Sequence, residues 1–243
     1  MTPTVSFPNS TGRNLLDDVL VNAGTLAELT CVDGLEAGRT AARDNPERRA
    51  VPQARLEAVR KLLPDHLRDA FDLLLLTGAR PGEIFTITGA MIDKTGEVWR
   101  CPLAHHKTAH RGKERVLYFN PSAQVILRRR MQDGDLSQRI FPITPEHFGD
   151  AVREACKEAF GYPADLRKPV KEMTTAERAR FESWKRANAF VPHQLRHTVA
   201  TKLVDEIGID ATQRLLGHCS AAMTAHYSRA AEGQAIEAAK RLG

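Results

Sequence analysis

The 243-residue chain predicts a mainly α-helical domain interrupted by one small antiparallel β-sheet, an α+β arrangement. Three observations lead there. From Val51 onward, apolar residues recur at three- and four-residue spacing in one segment after another. Two short strand-like runs, Glu97–Leu103 and Glu114–Phe119, stand alone among these segments, separated by the polar, His-rich AHHKTAHRGK. Apolar residues make up 42% and charged residues 27%, ordinary values for a globular chain, which excludes wholesale disorder.

Residues 1–12 are rich in Pro, Ser, Thr and Asn and read as an irregular lead-in. Asn14–Leu29 offers short helical turns, and the polar stretch Glu36–Ala50 reads as a linker. Pro52–Leu63 carries Leu56, Val59, Leu62 and Leu63 on one face, and Pro64–Thr77 carries Leu67, Ala70, Phe71, Leu74 and Leu75. Thr77-Gly78 stops the second of these helices, and Pro81, suited to a first helical turn, starts another reaching about Thr88. After the hairpin come helices over Pro121–Arg130, Pro145–Phe160, Thr174–Ala189, Pro192–Glu206, Ile209–Leu216, Ala221–Tyr227 and Ala231–Leu242. Thr174 and Glu177 have capping-box spacing. There is no internal repeat. The expected division is a leader over residues 1–50 and one domain over residues 51–243.

Lys and Arg number 35 against 30 Asp and Glu, a formal charge of +5. The charge is uneven: residues 1–50 hold five basic against seven acidic residues, and the remainder 30 against 23. A basic remainder fits a polyanionic partner and plain solubility alike. The longest apolar run, Phe71–Leu76, includes Asp72 and falls far short of the roughly 20 residues of a membrane helix. The first 20 residues lack the basic patch and apolar stretch of a secretory signal. Cys31, Cys101, Cys156 and Cys219 are scattered with no CxxC pair, which predicts neither a zinc cluster nor a disulfide framework and points to the cytoplasm.

Four segments carry chemistry: LLTGARPGEI at 75–84, HKTAHRGKERV at 106–116, HQLRHTVATKL at 193–203 and LGHCSAAMTAHY at 216–227. They supply arginines, a hairpin lysine, histidines and a tyrosine. This inventory can handle a phosphate without a metal. Arginine offers planar paired donors to non-bridging oxygens, histidine or lysine moves protons, and a hydroxyl attacks phosphorus.

With these segments in this order, the sequence resembles the tyrosine recombinase (phage integrase) family from about Val51 to the C-terminus. The resemblance rests on Arg80 in TGARPGE, Lys107 in the hairpin loop, His193 and Arg196 in HQLRH, His218 in LGH, and Tyr227. His218 to Tyr227 is nine residues and Arg196 to His218 is 22, both at family spacing. It implies the fold of a tyrosine recombinase catalytic domain and double-stranded DNA as substrate. It also implies self-association as a tetramer on DNA, with no cofactor, metal, membrane or small-molecule substrate.

Each residue has a plainer reading too. Arg80 and Glu83, three apart, could form a structural ion pair; beside the other motifs Glu83 reads as the support that holds Arg80. A guanidinium has five donors, so such pairing does not forbid phosphate contact. Lys107 sits in a run of basic residues that could be a solvated loop; the resemblance makes it the general acid for the departing 5′-oxygen. Lys113, the neighbour most easily confused with it, falls at the start of the second strand. His193 and His197 have metal-ligand spacing, but a zinc protease needs Glu where this chain has Gln194. The resemblance makes His193 the proton acceptor for the nucleophile, and Arg196, one turn along, the second half of a phosphate clamp. His197 is expected in packing or support. His218 would bond a non-bridging oxygen, and Gly217 before it permits close backbone approach. Tyr227 would be the nucleophile, a phenol that needs a base and cationic surroundings because its pKa is near ~10. Tyr118, in a strand, and Tyr162, in a turn, follow no LGH element.

The implied reaction is transesterification: Tyr227 attacks a backbone phosphate, forms a 3′-phosphotyrosyl link and frees a 5′-hydroxyl, and a second 5′-hydroxyl reverses the step. Arg128–Arg130 and Arg167–Arg186, the latter with seven basic residues against three Glu, could grip the duplex or be ordinary solvated faces. Only 79 residues precede Arg80, so residues 14–50 read as a last helix and linker rather than the helical domain that usually completes a clamp around DNA. The rival from another class is a catalytically silent DNA-binding remnant of a mobile element. A type IB topoisomerase shares the chemistry but fits HQLRH and LGH less well.

Overall fold

The computed structural model describes residues 50–103, 115–132 and 134–217, and the expectations for residues 1–49, 104–114 and 218–243 lie outside them. Helix α1 (Gln53–Leu62) and helix α2 (Asp65–Thr77) begin directly after prolines, as the sequence predicts. Helix α2 is the hub. It buries Leu67, Ala70, Phe71, Leu73 and Leu74 and packs against helix α4 (Pro121–Met131), helix α7 (His193–Ile207) and the sheet. Helix α1 packs instead against helix α5 (Pro145–Ala159), and a paired Arg60–Asp72 contact, both bonds 2.6 Å, ties α1 to α2.

The sheet has two strands, β1 (Trp99–Pro102) and β2 (Val116–Phe119), antiparallel with Trp99 opposite Phe119 and Arg100 opposite Tyr118. Alternation decides its faces. Trp99, Cys101, Leu117 and Phe119 enter the core while Arg100 and Tyr118 face outward. The ladder continues one rung further, with the Leu103 N–H donating to the Arg115 carbonyl at 2.8 Å.

Helix starts follow side-chain chemistry. Asn120 accepts from the Ala123 N–H at the head of α4, and Thr144 from the His147 N–H at the head of α5. Helix α6 (Thr175–Asn188) opens on the expected capping box, with Thr174 N–H on Glu177 Oε2 at 2.8 Å and Glu177 N–H on Thr174 Oγ1 at 3.3 Å. Helix α6 contributes no fully buried residue to the main core. Its partly covered Phe181 and Trp184 close a satellite cluster over Tyr162, Leu166 and Met173, with the Tyr162 and Trp184 rings edge-on at 4.7 Å.

One element departs from expectation. The helix starting at Pro81, α3 (Pro81–Ile84), ends four residues in rather than near Thr88. Phe85 and Ile87 are both buried, and Ile87 accepts from Ile140 N–H at 3.1 Å, so core packing and a bridge to residue 140 draw the chain out of the helix. Among the described residues no helix is long and apolar enough to cross a membrane.

Candidate active site

The site is assembled where the C-terminal ends of α2 and α8 (Ile209–Leu216) meet. A helix end leaves carbonyls without intrahelical partners, and each of these two ends is turned by a left-handed glycine. Gly78 closes α2 at φ +61°, and Gly217 closes α8 at φ +65°. Thr77 steadies the first turn: its hydroxyl donates to Leu73 O at 2.6 Å and accepts from Ala79 N–H at 3.2 Å. The two turns touch. A Cβ on Gly78 would lie 2.4 Å from Leu216 Cδ2 and 3.0 Å from Val199 Cγ1.

Arg196 fills the junction. It is only 2% exposed, the largest side chain among the described residues buried to that degree. Nη1 donates to Gly78 O at 2.8 Å and Nη2 to Leu216 O at 2.7 Å. No carboxylate takes part in either bond; the partners are helix-terminal carbonyls, which carry the negative end of each helix dipole. His193 stands one turn earlier on α7, and its ring meets the ring of His197 edge-on at 5.2 Å. The helix start is secured by Gln194, whose side-chain oxygen accepts from Val191 N–H at 3.1 Å. Thr198, on the same helix, accepts from Val51 N–H at 2.9 Å and so fastens the chain just before α1 to this helix.

Arg80 follows the Gly78 turn by two residues and precedes α3. Glu83 holds it as expected: Oε2 accepts from the Arg80 N–H at 2.9 Å, and Oε1 from Nη1 at 2.7 Å. The Arg80 side chain is 19% exposed, so it is not sealed from solvent.

Arg115 was visible in the sequence only as one of several basic residues around the hairpin loop. In the structure it is buried, with Nε and Nη2 on the two oxygens of Glu83 at 3.2 and 3.0 Å and Nη1 on Leu215 O at 2.9 Å. Burial by itself would raise the Glu83 carboxyl, but the hydrogen bonds and charge of Arg115, with the Arg80 N–H and guanidinium, hold it down at about 2. Two guanidiniums, Arg80 and Arg115, therefore share the single carboxylate of Glu83, an arrangement with more cationic than anionic groups that suits an anion.

Lys107, His218 and Tyr227 lie outside the described residues; of the other three expected site residues, Arg196 bonds the carbonyl of Gly78, two residues before Arg80, and His193 stands one turn before Arg196 on the same helix. The chain enters and leaves the undescribed segments at this same junction. Arg115 follows segment 104–114 directly, and Gly217 precedes His218. The other tyrosines have structural settings. Tyr162 donates its hydroxyl to Leu166 O at 2.8 Å, and Tyr118 stands on the outer face of the hairpin. Among the described residues there is no cluster of three His, Cys, Asp or Glu placed to hold a metal ion.

The basic runs divide differently. In α4, Arg129 and Arg130 both bind the buried carboxylate of Asp69, and Arg128 lies 4.8 Å over the Trp99 ring. Between 167 and 186, Lys168 pairs with Glu177 at 2.7 Å, Arg180 with Asp165 at 2.6 Å, and Arg178 donates to Val170 O at 3.2 Å. For these residues the plainer reading, intramolecular pairing, describes the contacts.

Comparison with known proteins identifies the family and the fold. The family described as "Phage integrase family" matches residues 52–234. A search of curated proteins returned no match. Among solved structures, the Tn1549 transposon integrase in complex with circular intermediate DNA is 18% identical at a TM-score of 0.56, covering 82% of this chain and 69% of that one. The lambda integrase dimer bound to a COC′ core site is 18% identical at 0.54, covering 79% and 51%. The XerH site-specific recombinase bound to difH substrate is 16% identical at 0.51, covering 78% and 53%. The likeness to all three is one of fold: helices around a small antiparallel sheet, the architecture of their catalytic domains.

Proposed function

The chain belongs to the phage integrase family, and from that premise we propose that it cleaves and rejoins double-stranded DNA by transesterification through a 3′-phosphotyrosyl intermediate. The observation that carries the reading is the junction itself. Arg196 is seated on the carbonyls of Gly78 and Leu216, and Gly78 lies two residues before Arg80, which shares Glu83 with Arg115, so basic residues from segments far apart in sequence converge.

The steps balance without a cofactor. The Tyr227 hydroxyl attacks phosphorus while His193 accepts its proton; the bond to the 5′-oxygen breaks and Lys107 protonates that oxygen. The 5′-hydroxyl of a second strand then attacks the phosphotyrosyl link, and the same proton transfers run in reverse. Arg80 and Arg196 offset charge on the non-bridging oxygens, with a hydrogen bond from His218. One ester replaces another, so no nucleotide hydrolysis is required. Residues 51–243 act as the catalytic domain. The Tn1549, lambda and XerH proteins were solved on DNA, and the lambda protein as a dimer; by extension this chain acts as an assembly on DNA, a tetramer when two duplexes exchange strands.

The test is covalent trapping. Nicked DNA bearing the ends of the chain's own element, incubated in excess chelator, should yield a denaturant-resistant protein–DNA adduct that Tyr227→Phe abolishes. An adduct that survives Tyr227→Phe sinks the nucleophile assignment. DNA binding with no adduct on any cognate end favours the silent remnant.

A further inference from the structure

We propose that Arg115 is a positioning residue for strand cleavage, joining the base of the hairpin and the end of α8 to the carboxylate that holds Arg80. The inference rests on the strand-exchange reading above and concerns a residue outside the six already assigned roles.

The geometry is that of a three-way tie. The Arg115 carbonyl closes the last described rung of the hairpin, opposite Leu103. Its guanidinium reaches 32 residues back to Glu83 and 100 residues forward to Leu215. Each oxygen of Glu83 is shared: Oε1 accepts from Arg115 Nε and Arg80 Nη1, and Oε2 from Arg115 Nη2 and the Arg80 N–H. Gly217 leaves room for this arm, since a Cβ there would stand 2.9 Å from Arg115 Cδ. One side chain thus contacts the arginine turn through Glu83, the hairpin through its own backbone, and the residues leading into His218.

Two consequences bear on the reaction. First, the negative charge of Glu83 is divided between two guanidiniums. Without Arg115, Arg80 and Glu83 would form a neutral pair, and Arg80 would have less positive charge to offer a phosphate. Second, segment 104–114, which holds Lys107, and the segment beginning at His218 both depart from the atoms Arg115 joins. Arg115 fixes the described ends of these segments, at Arg115 itself and at Leu215, against the Glu83 that holds Arg80, and misplacing reacting groups by about an ångström slows chemistry strongly. Lysine cannot substitute. Its single ammonium lacks the fork that spans a carboxylate edge and a carbonyl on the opposite side.

The experiment separates binding from chemistry. For the parent chain, Arg115→Lys and Arg115→Met, the adduct-forming rate is measured at saturating nicked DNA, the DNA Kd by titration, and folding by melting temperature. Arg115→Lys should fold and bind DNA within about threefold of the parent yet form adduct about tenfold or more slowly, with Arg115→Met slower still. An active parent with folded Arg115→Lys at the parental rate overturns this inference and leaves strand exchange standing. A parent that forms no adduct on cognate ends overturns the strand-exchange reading and this inference with it. Should Arg115→Lys melt below the assay temperature, the pair Arg115→Met with Glu83→Gln, which leaves no buried charge behind, is compared with Glu83→Gln alone. A pair about tenfold slower than Glu83→Gln supports the tie, and an equal rate overturns it.

Discussion

Arg196 donates from Nη1 to the carbonyl of Gly78 at 2.8 Å, a contact spanning 118 residues of chain. Nη2 makes the matching bond to Leu216 at 2.7 Å, so a single buried cation caps two helix ends at once. Replacing it with methionine leaves both carbonyls buried without that donor, and each such loss costs about 1–3 kcal/mol. Urea denaturation of Arg196→Met should therefore show a loss of about 2–6 kcal/mol. Arg196→Lys keeps the charge but offers no planar fork, and should recover only part of that stability. A methionine variant as stable as the parent would mean that these carbonyls find other partners.

The turn beneath this contact favours glycine. Gly78 combines a positive φ with a neighbour 2.4 Å from where a Cβ would sit. Gly78→Ala should lower stability by about 1–3 kcal/mol, from left-handed strain and from pushing Leu216 away. Gly82, four residues on, is the internal control: nothing lies within 4 Å of its Cβ direction and its φ is not positive. Gly82→Ala should be neutral or slightly stabilising in the same thermal melts.

These arginine and glycine contacts also mark how far the sequence could be read. Apolar periodicity and cap chemistry were local, and they located α8 at Ile209–Leu216 and the start of α6 at its Thr174–Glu177 box. The Arg80–Glu83 pair was legible for the same reason, three residues apart on one turn. Arg115 was not. Its partners lie 32 and 100 residues away, and nothing local distinguishes it from Arg111 or Lys113. The early end of α3 was hidden likewise, because it depends on Ile87 meeting Ile140 across the core. The family resemblance implied that Arg196 belongs with Arg80, whereas helix-end carbonyls as its partners required the fold.

Glu83 makes the junction acid-sensitive. Its carboxyl is held at about 2 in the folded chain against an ordinary 4.5. A depressed carboxylate stabilises the fold fully above its unfolded value, and the contribution fades as pH falls from about 4.5 toward 2. The difference corresponds to about 3 kcal/mol at neutral pH. Glu83→Gln removes the titrating group, so its urea stability should be lower than the parent's at pH 7 and fall less steeply between about pH 4.5 and 2. Parallel pH profiles for the two proteins would show that Glu83 does not contribute to the acid limb.

The α4 arginines provide a separate test of how basic surface becomes DNA affinity. Asp69 is buried, with its side chain only 6% exposed, and accepts from both Arg129 and Arg130. Arg129 is nonetheless 59% exposed, so its charge is compensated rather than inaccessible. Asp69→Asn should destabilise the fold by about 1–3 kcal/mol, since a buried carboxylate with two charged donors is lost. The same change releases two cations at the end of α4. Each one that reaches a phosphate would steepen the plot of log affinity against log salt by about 0.9. The expected result is weaker folding with steeper salt dependence, measured by urea melts and by DNA titrations at several salt concentrations. Steepening shows that Asp69 holds these arginines away from DNA in the parent. An unchanged slope with the expected stability loss places α4 away from the duplex and leaves other basic positions to grip it.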